Sequence, residues 1–412
     1  MLGLACTVWA ATVSSSPAQT FSVLATFNAA DGNSPMGSLV QGLDGNLYGT
    51  SNQGGASPCS FCGTVFRITP DGTLTTLHSF AGADGAFPGG GLVQAPGGNF
   101  YGTTESGGSN GAGTVFEITP SGTLTTLYSF SGADGSHPVA ALLLSRGGNL
   151  YGTTERGGTS TKCSGGCGTV FKIAPGGPLT ALHSFTATDG SHPVAALVEA
   201  EDGYLYGGTV SGGAKNDGTI FKITPKGTLT TVHSFVKTDG AGLYAALVQA
   251  SDGYLYGATA NGGTNNYGTV FKITPGGTLT TLYNFDWTDG GGPDGLVQAT
   301  DGNFYGTASG GGAIGYGTIF EITPSGTLTT LHSLAFTDGA YPYAALLQAT
   351  DGNFYGTGLH GGNANCALQI GCGTVFSLSV GLEKDLGQTP AHASAGRFNI
   401  QVGGERRSHV IN

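Results

Sequence analysis

The sequence predicts an all-β chain folded as a seven-bladed β-propeller of four-stranded antiparallel blades, with the ring closed by the N-terminal strand pairing in the last blade. Three observations predict it. The tetrapeptide Gly-Thr-(Val/Ile)-Phe recurs seven times, starting at Gly63, Gly113, Gly168, Gly218, Gly268, Gly317 and Gly373, at intervals of 50, 55, 50, 50, 49 and 56 residues. A Tyr-Gly pair preceded by Leu or Phe recurs in step with it, at Tyr48, Tyr101, Tyr151, Tyr206, Tyr256, Tyr305 and Tyr355. Six units end in a fourth-strand segment such as Thr-Leu-Thr-Thr-Leu-His-Ser-Phe; the seventh lacks it, and residues 21–27 supply a matching segment at the start of the chain.

Each unit divides into four short strands, which in the first unit are residues 38–41, 46–50, 63–69 and 73–80. Between them stand Asp-Gly turns and one long Gly-rich loop. Asp-Gly suits tight hairpins, because Gly accepts positive φ and Asp bonds its own backbone. No stretch carries a 3.6-residue apolar period, so no helices are expected. A single blade cannot bury both faces, and stacking it on two neighbours does so. Closure of the ring by residues 21–27 against 373–380 removes the exposed edges that an open stack would keep.

Composition narrows the function. Of 412 residues 77 are Gly, yet the glycines follow no three-residue period and Pro numbers only 17, so collagen is excluded. Charged residues are 9%, against about 25% in an ordinary soluble domain. With 39% hydrophobic residues, 21 Phe and 16 Tyr, the chain has the material for a core rather than for a disordered coil. A net charge of -11 excludes nucleic acid as a natural partner. Thirteen of the 25 acids are Asp of recurrent Asp-Gly turns, so the acidity follows turn chemistry; Asp217 and Asp294 also precede Gly, at positions the other units do not share.

Residues 1–20 are apolar early on and end in Ser16-Pro17-Ala18, reading as a signal-peptide remnant without a basic leading segment. The propeller occupies 21–380, and 381–412, where charge rises, reads as a loosely ordered tail. Nothing outside the leading segment approaches the ~18 apolar residues of a membrane span. Cys6 lies in that leading segment; the other six cysteines form the local pairs Cys59/Cys62, Cys163/Cys167 and Cys366/Cys372, each in the loop between second and third strands. A zinc site would need two pairs to converge, and these belong to different blades, so disulfides and an oxidising compartment are the preferred reading. No metal or cofactor is expected.

Repetition also sorts the polar residues. His78, His183, His233 and His332 share one repeat position with Tyr128 and Tyr283, which marks a packed, hydrogen-bonded site rather than a catalytic one. Asp31, Asp84, Asp134, Asp189, Asp239, Asp289 and Asp338 recur between fourth and first strands; a cation could bind such a circle, but turn capping is the stronger reading. Departures from repetition carry more information. On the face where the second-to-third and blade-to-blade loops emerge, Glu105 and Glu155 occupy matched positions, with Arg156 beside the latter. His137 and His192 enter the third and fourth blades on that face, where Lys215 and Asp217 also lie. Two carboxylates with His and Arg nearby are candidates for acid/base chemistry on a glycan. Phe87, Trp287, Tyr341 and Tyr343 offer flat apolar surfaces, and with His137 and His192 they form the candidate ligand-binding set.

The unit Asp-Gly-Asn-Leu-Tyr-Gly-Thr … Gly-Thr-Val-Phe-Arg-Ile-Thr-Pro-Asp-Gly-Thr-Leu-Thr-Thr-Leu-His-Ser-Phe closely resembles the GloVer tandem repeat of bacterial choice-of-anchor proteins, over about residues 21–380. The resemblance implies an exported, extracellular or surface protein, and it carries no established catalytic residues. The expected function is a binding or interaction scaffold for a carbohydrate or protein ligand. The alternatives are a polysaccharide hydrolase or lyase using Glu105 and Glu155, or a purely structural surface protein.

Overall fold

The computed structural model describes residues 19–56, 59, 61–362, 366 and 370–382. Residues 1–18 of the expected signal remnant (1–20) and 383–412 of the expected tail (381–412) lie outside them. Among the described residues there is no helix, and the strands form seven four-stranded antiparallel sheets, each in the order first–second–third–fourth from the axis outwards. In the first blade these are Val40–Gln41, Leu47–Ser51, Thr64–Ile68 and Leu74–Ser79. The last blade is completed by Thr20–Thr26, which pairs with Thr374–Ser379 from Thr20↔Ser379 to Thr26↔Thr374. Seven blades and closure through the N-terminal strand are therefore what the chain adopts.

One contact explains both repeated motifs. The Tyr-Gly glycine and the motif Phe face each other across the second and third strands, as Gly49↔Phe66. A Cβ on Gly49 would meet the Phe66 ring at 2.6 Å, and the equivalent approaches are 2.6 Å at Gly102 and Gly306 and 2.5 Å at Gly152 and Gly356. Glycine is required there because the ring lies where its side chain would be.

The motif Phe also receives the last aromatic residue of the preceding blade, edge on. Phe80 packs on Phe116 at 5.3 Å, Phe130 on Phe171 at 5.2 Å and Phe235 on Phe271 at 5.5 Å. The N-terminal strand supplies Phe27 against Phe66 at 5.0 Å, so closure repeats the same joint. All these rings are fully buried. Each contributes about 1.5–3 kcal/mol through burial.

A polar strap ties blades together on the face of the short hairpins, here the lower face. A Gln or Glu of the first strand accepts a backbone N–H from the previous blade's first hairpin: Leu43 to Gln94 (2.9 Å), Arg146 to Glu199 (2.8 Å), Glu201 to Gln249 (2.8 Å), Ser251 to Gln298 (3.3 Å), Thr300 to Gln348 (3.2 Å) and, closing the ring, Thr350 to Gln41 (2.9 Å). At the seventh joint, between second and third blades, the donor position is Pro96 and the acceptor position is Leu144. The disulfides Cys59–Cys62, Cys163–Cys167 and Cys366–Cys372 are formed, as the spacing predicts.

Candidate functional site

The opposite, upper face carries the long loops. In six blades the loop entering the blade is bridged to the blade's second-to-third loop, as in Ala86↔Ser106 and Ser136↔Arg156. The residue before each loop's Pro sits in the left-handed region in Ser34, Phe87, His137, His192 and Tyr341, with φ between 55° and 59°. Gly242 and Gly292 fill the equivalent position with φ of 70° and 62°. Four of the six residues proposed as ligand contacts thus share one backbone position, a relation that only alignment of the loops reveals.

That turn throws the next-but-one residue towards the axis. The seven residues so placed are Met36, Gly89, Val139, Val194, Tyr244, Asp294 and Tyr343, and all of them line an axial cavity of about 390 Å³. Its wall below is made of small residues, because neighbouring first segments nearly touch: a Cβ on Gly90 would lie 2.6 Å from the Ala140 backbone. Polar groups in the lining include Asn52 and Glu105. Tyr244 and Tyr343 are 46% and 44% exposed, large flat side chains left open to a ligand.

Asp294 is the exception among them. The sixth unit is the one with the 49-residue interval, and its shortened entry loop is drawn into the sheet as an eight-residue strand, Gly291–Gln298, paired with Phe304–Gly310. The register slips between Pro293 and Gly295, which leaves Asp294 as the bulged residue. Bulges re-aim a side chain, and here the carboxyl turns into the cavity wall. It is only 8% exposed, and Oδ2 has no hydrogen-bond partner. Burial pushes its pKa up to about 8, against opposing hydrogen bonds from Ser309.

The other groups of the mouth respond to one another. Burial raises the Glu105 carboxyl; the nearby His137 opposes this, Glu155 adds to it and Arg156 opposes it. Burial also raises the Tyr244 hydroxyl, helped by the charges of Glu155 and Asp294, and the Tyr343 hydroxyl, helped by Asp294 and Tyr341. Glu155 is held by Arg156 at 3.3 Å. The His137 Nδ1 is buried without a partner.

Of the residues expected from the sequence, Glu105 and Tyr343 line the cavity. Glu155, Arg156 and His137 sit beside it through these electrostatic links, and His192 holds the same turn position as His137 in the next blade. Phe87 packs on the core around Cys59 and Cys62. Tyr341 lies edge-on to Tyr316 and His360, both at 5.9 Å. Trp287 lies over Gly291 and Gly310 and contacts Tyr267 at 5.1 Å. Sequence reasoning noted that Asp294 stands where no other unit has Asp, without assigning it a role, and it passed over Tyr244.

The repeated acids cap turns. Asp84 accepts the Ala81 amide at 2.8 Å and pairs with His78 Nε2 at 2.8 Å. Asp189 does the same for Thr186 (2.8 Å) and His183 (2.9 Å), while Tyr128 and Tyr283 donate to Asp134 and Asp289. Each carboxylate is committed to its own loop. Among the described residues no three His, Cys, Asp or Glu side chains converge as a metal site would require, and no helix is long and apolar enough to cross a membrane.

A second and larger cavity, about 800 Å³, opens on the lower face at the joint where Pro96 and Leu144 replace the strap. Leu127, Leu179, Ile173 and Pro175 line it, with Glu117, Arg146 and Glu199 also in its wall. The hairpin Asp that elsewhere accepts the Tyr hydroxyl, as Asp202 does from Tyr206 at 2.7 Å, is Gly97 and Gly147 in these two blades.

The repeat pattern matches the Gloeobacter/Verrucomicrobia repeat over residues 7–164, 148–297 and 245–392. The chain belongs to that repeat family. No curated protein matches it in sequence. Among solved structures it is similar to virginiamycin B lyase from Staphylococcus aureus, with a TM-score of 0.61, 16% identity and coverage of 88% of this chain and 99% of that one. It is also similar to the extracellular domain of a putative hybrid two-component system from B. thetaiotaomicron, with a TM-score of 0.57 and 11% identity over 88% of this chain and 40% of that one. A putative 6-phosphogluconolactonase from Bacteroides fragilis follows, with a TM-score of 0.51 and 20% identity over 77% and 86%. At these identities the likeness is one of fold, shared by enzymes and extracellular domains alike.

Proposed function

We propose that this family member is an exported propeller that binds a glycan at its axial upper mouth. The observation that carries the reading is the cavity in which Glu105, Asn52 and Asp294 share a wall with two exposed tyrosines, Tyr244 and Tyr343. Carboxylates and amides serve the hydroxyls of a sugar, and aromatic rings serve its C–H faces. Three disulfides suit an oxidising compartment outside the cytosol.

The test is titration of a glycan panel against the wild type and the Tyr244→Ala/Tyr343→Ala variant. Binding that falls at least about tenfold in the variant, roughly 1.4 kcal/mol, supports the reading. Absence of any glycan binding moves the assignment to a protein ligand or a structural role. A second reading, hydrolysis or lysis of the glycan, draws on the raised Glu105 carboxyl beside Glu155 and Arg156. It requires product release that Glu105→Gln/Glu155→Gln abolishes.

A further inference from the structure

We propose that the axial cavity selects a ligand bearing a protonated primary amine, anchored by Asp294 between Tyr244 and Tyr343. The proposal deepens the glycan reading and rests on it for the carrier of the amine, which is then a 2-amino sugar.

Asp294 is the only charged residue at its position around the ring, more than nine-tenths buried, placed by a bulge, and part of the cavity wall, with Oδ2 buried and unpartnered. An acceptor buried without a donor is costly, the more so when charged, so the site is incomplete as it stands. The side chains that approach it do not complete it. Tyr244 and Tyr343 feel its charge, yet neither hydroxyl donates to Oδ2. Ser309 bonds the carboxyl from behind and gives its own hydroxyl to the Gly292 carbonyl at 3.0 Å.

The missing partner is thus a donor, and the cavity that Asp294 lines is where it enters, with the wall yielding to uncover Oδ2. An ammonium group brings a charge and three donors. As the ammonium arrives the carboxyl releases its proton to solvent, Asp294 Oδ2 takes one donor, and the phenolic oxygens in the same wall can accept the others. A divalent cation fits poorly, because it needs six or more oxygen ligands, and among the described residues no three His, Cys, Asp or Glu side chains converge to hold one. Of the other acids at the mouth, Glu105 lines the same cavity under the opposing influence of His137 and Arg156, and Glu155 pairs with Arg156. A cavity of about 390 Å³ admits the end of a sugar chain rather than a folded partner.

The experiment compares a glucosamine trisaccharide with its N-acetylated counterpart by calorimetry, on wild type, Asp294→Asn and Tyr244→Phe, with thermal melts to verify folding. Wild type is expected to prefer the free amine at least about tenfold. Asp294→Asn is expected to bind both sugars equally, at the N-acetyl affinity. Tyr244→Phe keeps the carboxylate and is expected to retain part of the preference. Equal binding of the two sugars by wild type overturns the amine proposal and leaves the glycan reading standing. If neither sugar binds while a lysine-containing peptide binds in an Asp294-dependent way, the amine site holds and the glycan reading falls. Binding of calcium alone, or of none of these probes, overturns the proposal.

Discussion

The repeat is broken in two places, and the two breaks differ in kind. On the lower face, between second and third blades, the strap is missing because both of its ends are: Pro96 has no N–H to give and Leu144 has no oxygen to receive it. On the upper face of the sixth blade one residue is deleted, and a carboxyl with one oxygen unpartnered is left in the wall. The first break is matched, donor against acceptor, and leaves a cleft lined by Leu127, Leu179, Ile173 and Pro175. The second is unmatched. A folded chain tolerates the loss of a hydrogen-bonded pair far better than the loss of one member. An unmatched loss therefore points to function in a way that a larger but balanced cavity does not.

Three experiments break or sharpen this contrast. The largest effect is expected from Phe130→Ala, which removes the ring that joins the second and third blades. It should cost about 3–5 kcal/mol in urea unfolding, and within about 0.5 kcal/mol as much as Phe80→Ala at a strapped joint. A much larger cost at Phe130 would make the lower cleft a weak point of the ring.

Next comes Asp294→Asn. The folded carboxyl, near 8, lies above the ordinary value of 3.8. Below about pH 4 both states are protonated; as pH rises to 8 the unfolded chain releases its proton while the folded chain keeps it, so stability is progressively lost. The variant should therefore be more stable than wild type by about 1–3 kcal/mol at pH 9 and nearly equal to it at pH 4. A pH-independent difference would remove the unpaired acid from consideration.

The smallest effect concerns the matched break. Leu144→Gln places an acceptor opposite Pro96 and should cost about 1–2 kcal/mol, and Pro96→Ala added to it should recover most of that loss through a restored strap. Additive costs in the double-mutant cycle would show that the pairing has no energetic content.

The architecture was almost wholly legible in the sequence, because each blade writes its strands, turns and packing Phe again at the same spacing. Even the ring joint could be read, since residues 21–27 repeat the missing segment. The site was legible in part. Glu105 and Tyr343 stood out as departures from the pattern and line the axial cavity, whereas Phe87 packs on the core around Cys62 and Tyr341 lies edge-on to Tyr316 and His360. Which residue of a loop faces the axis depends on a left-handed turn before Pro, and strand alternation says nothing about such a turn. The signal for Asp294 was the single short interval together with an Asp that no other unit shares. The energetic meaning of that acid came only from knowing that its oxygen is buried.

The clasp between Thr20–Thr26 and Thr374–Ser379 sets the order of events in making the molecule. Of the propeller's strands, the first to leave the ribosome has the last as its partner. Until that partner arrives the first strand offers an unsatisfied edge to any passing chain, and the final zipping must bridge the whole ring, a slow step for a fold built from such distant pairings. Once shut, the circle has no loose end blade at which unravelling could begin.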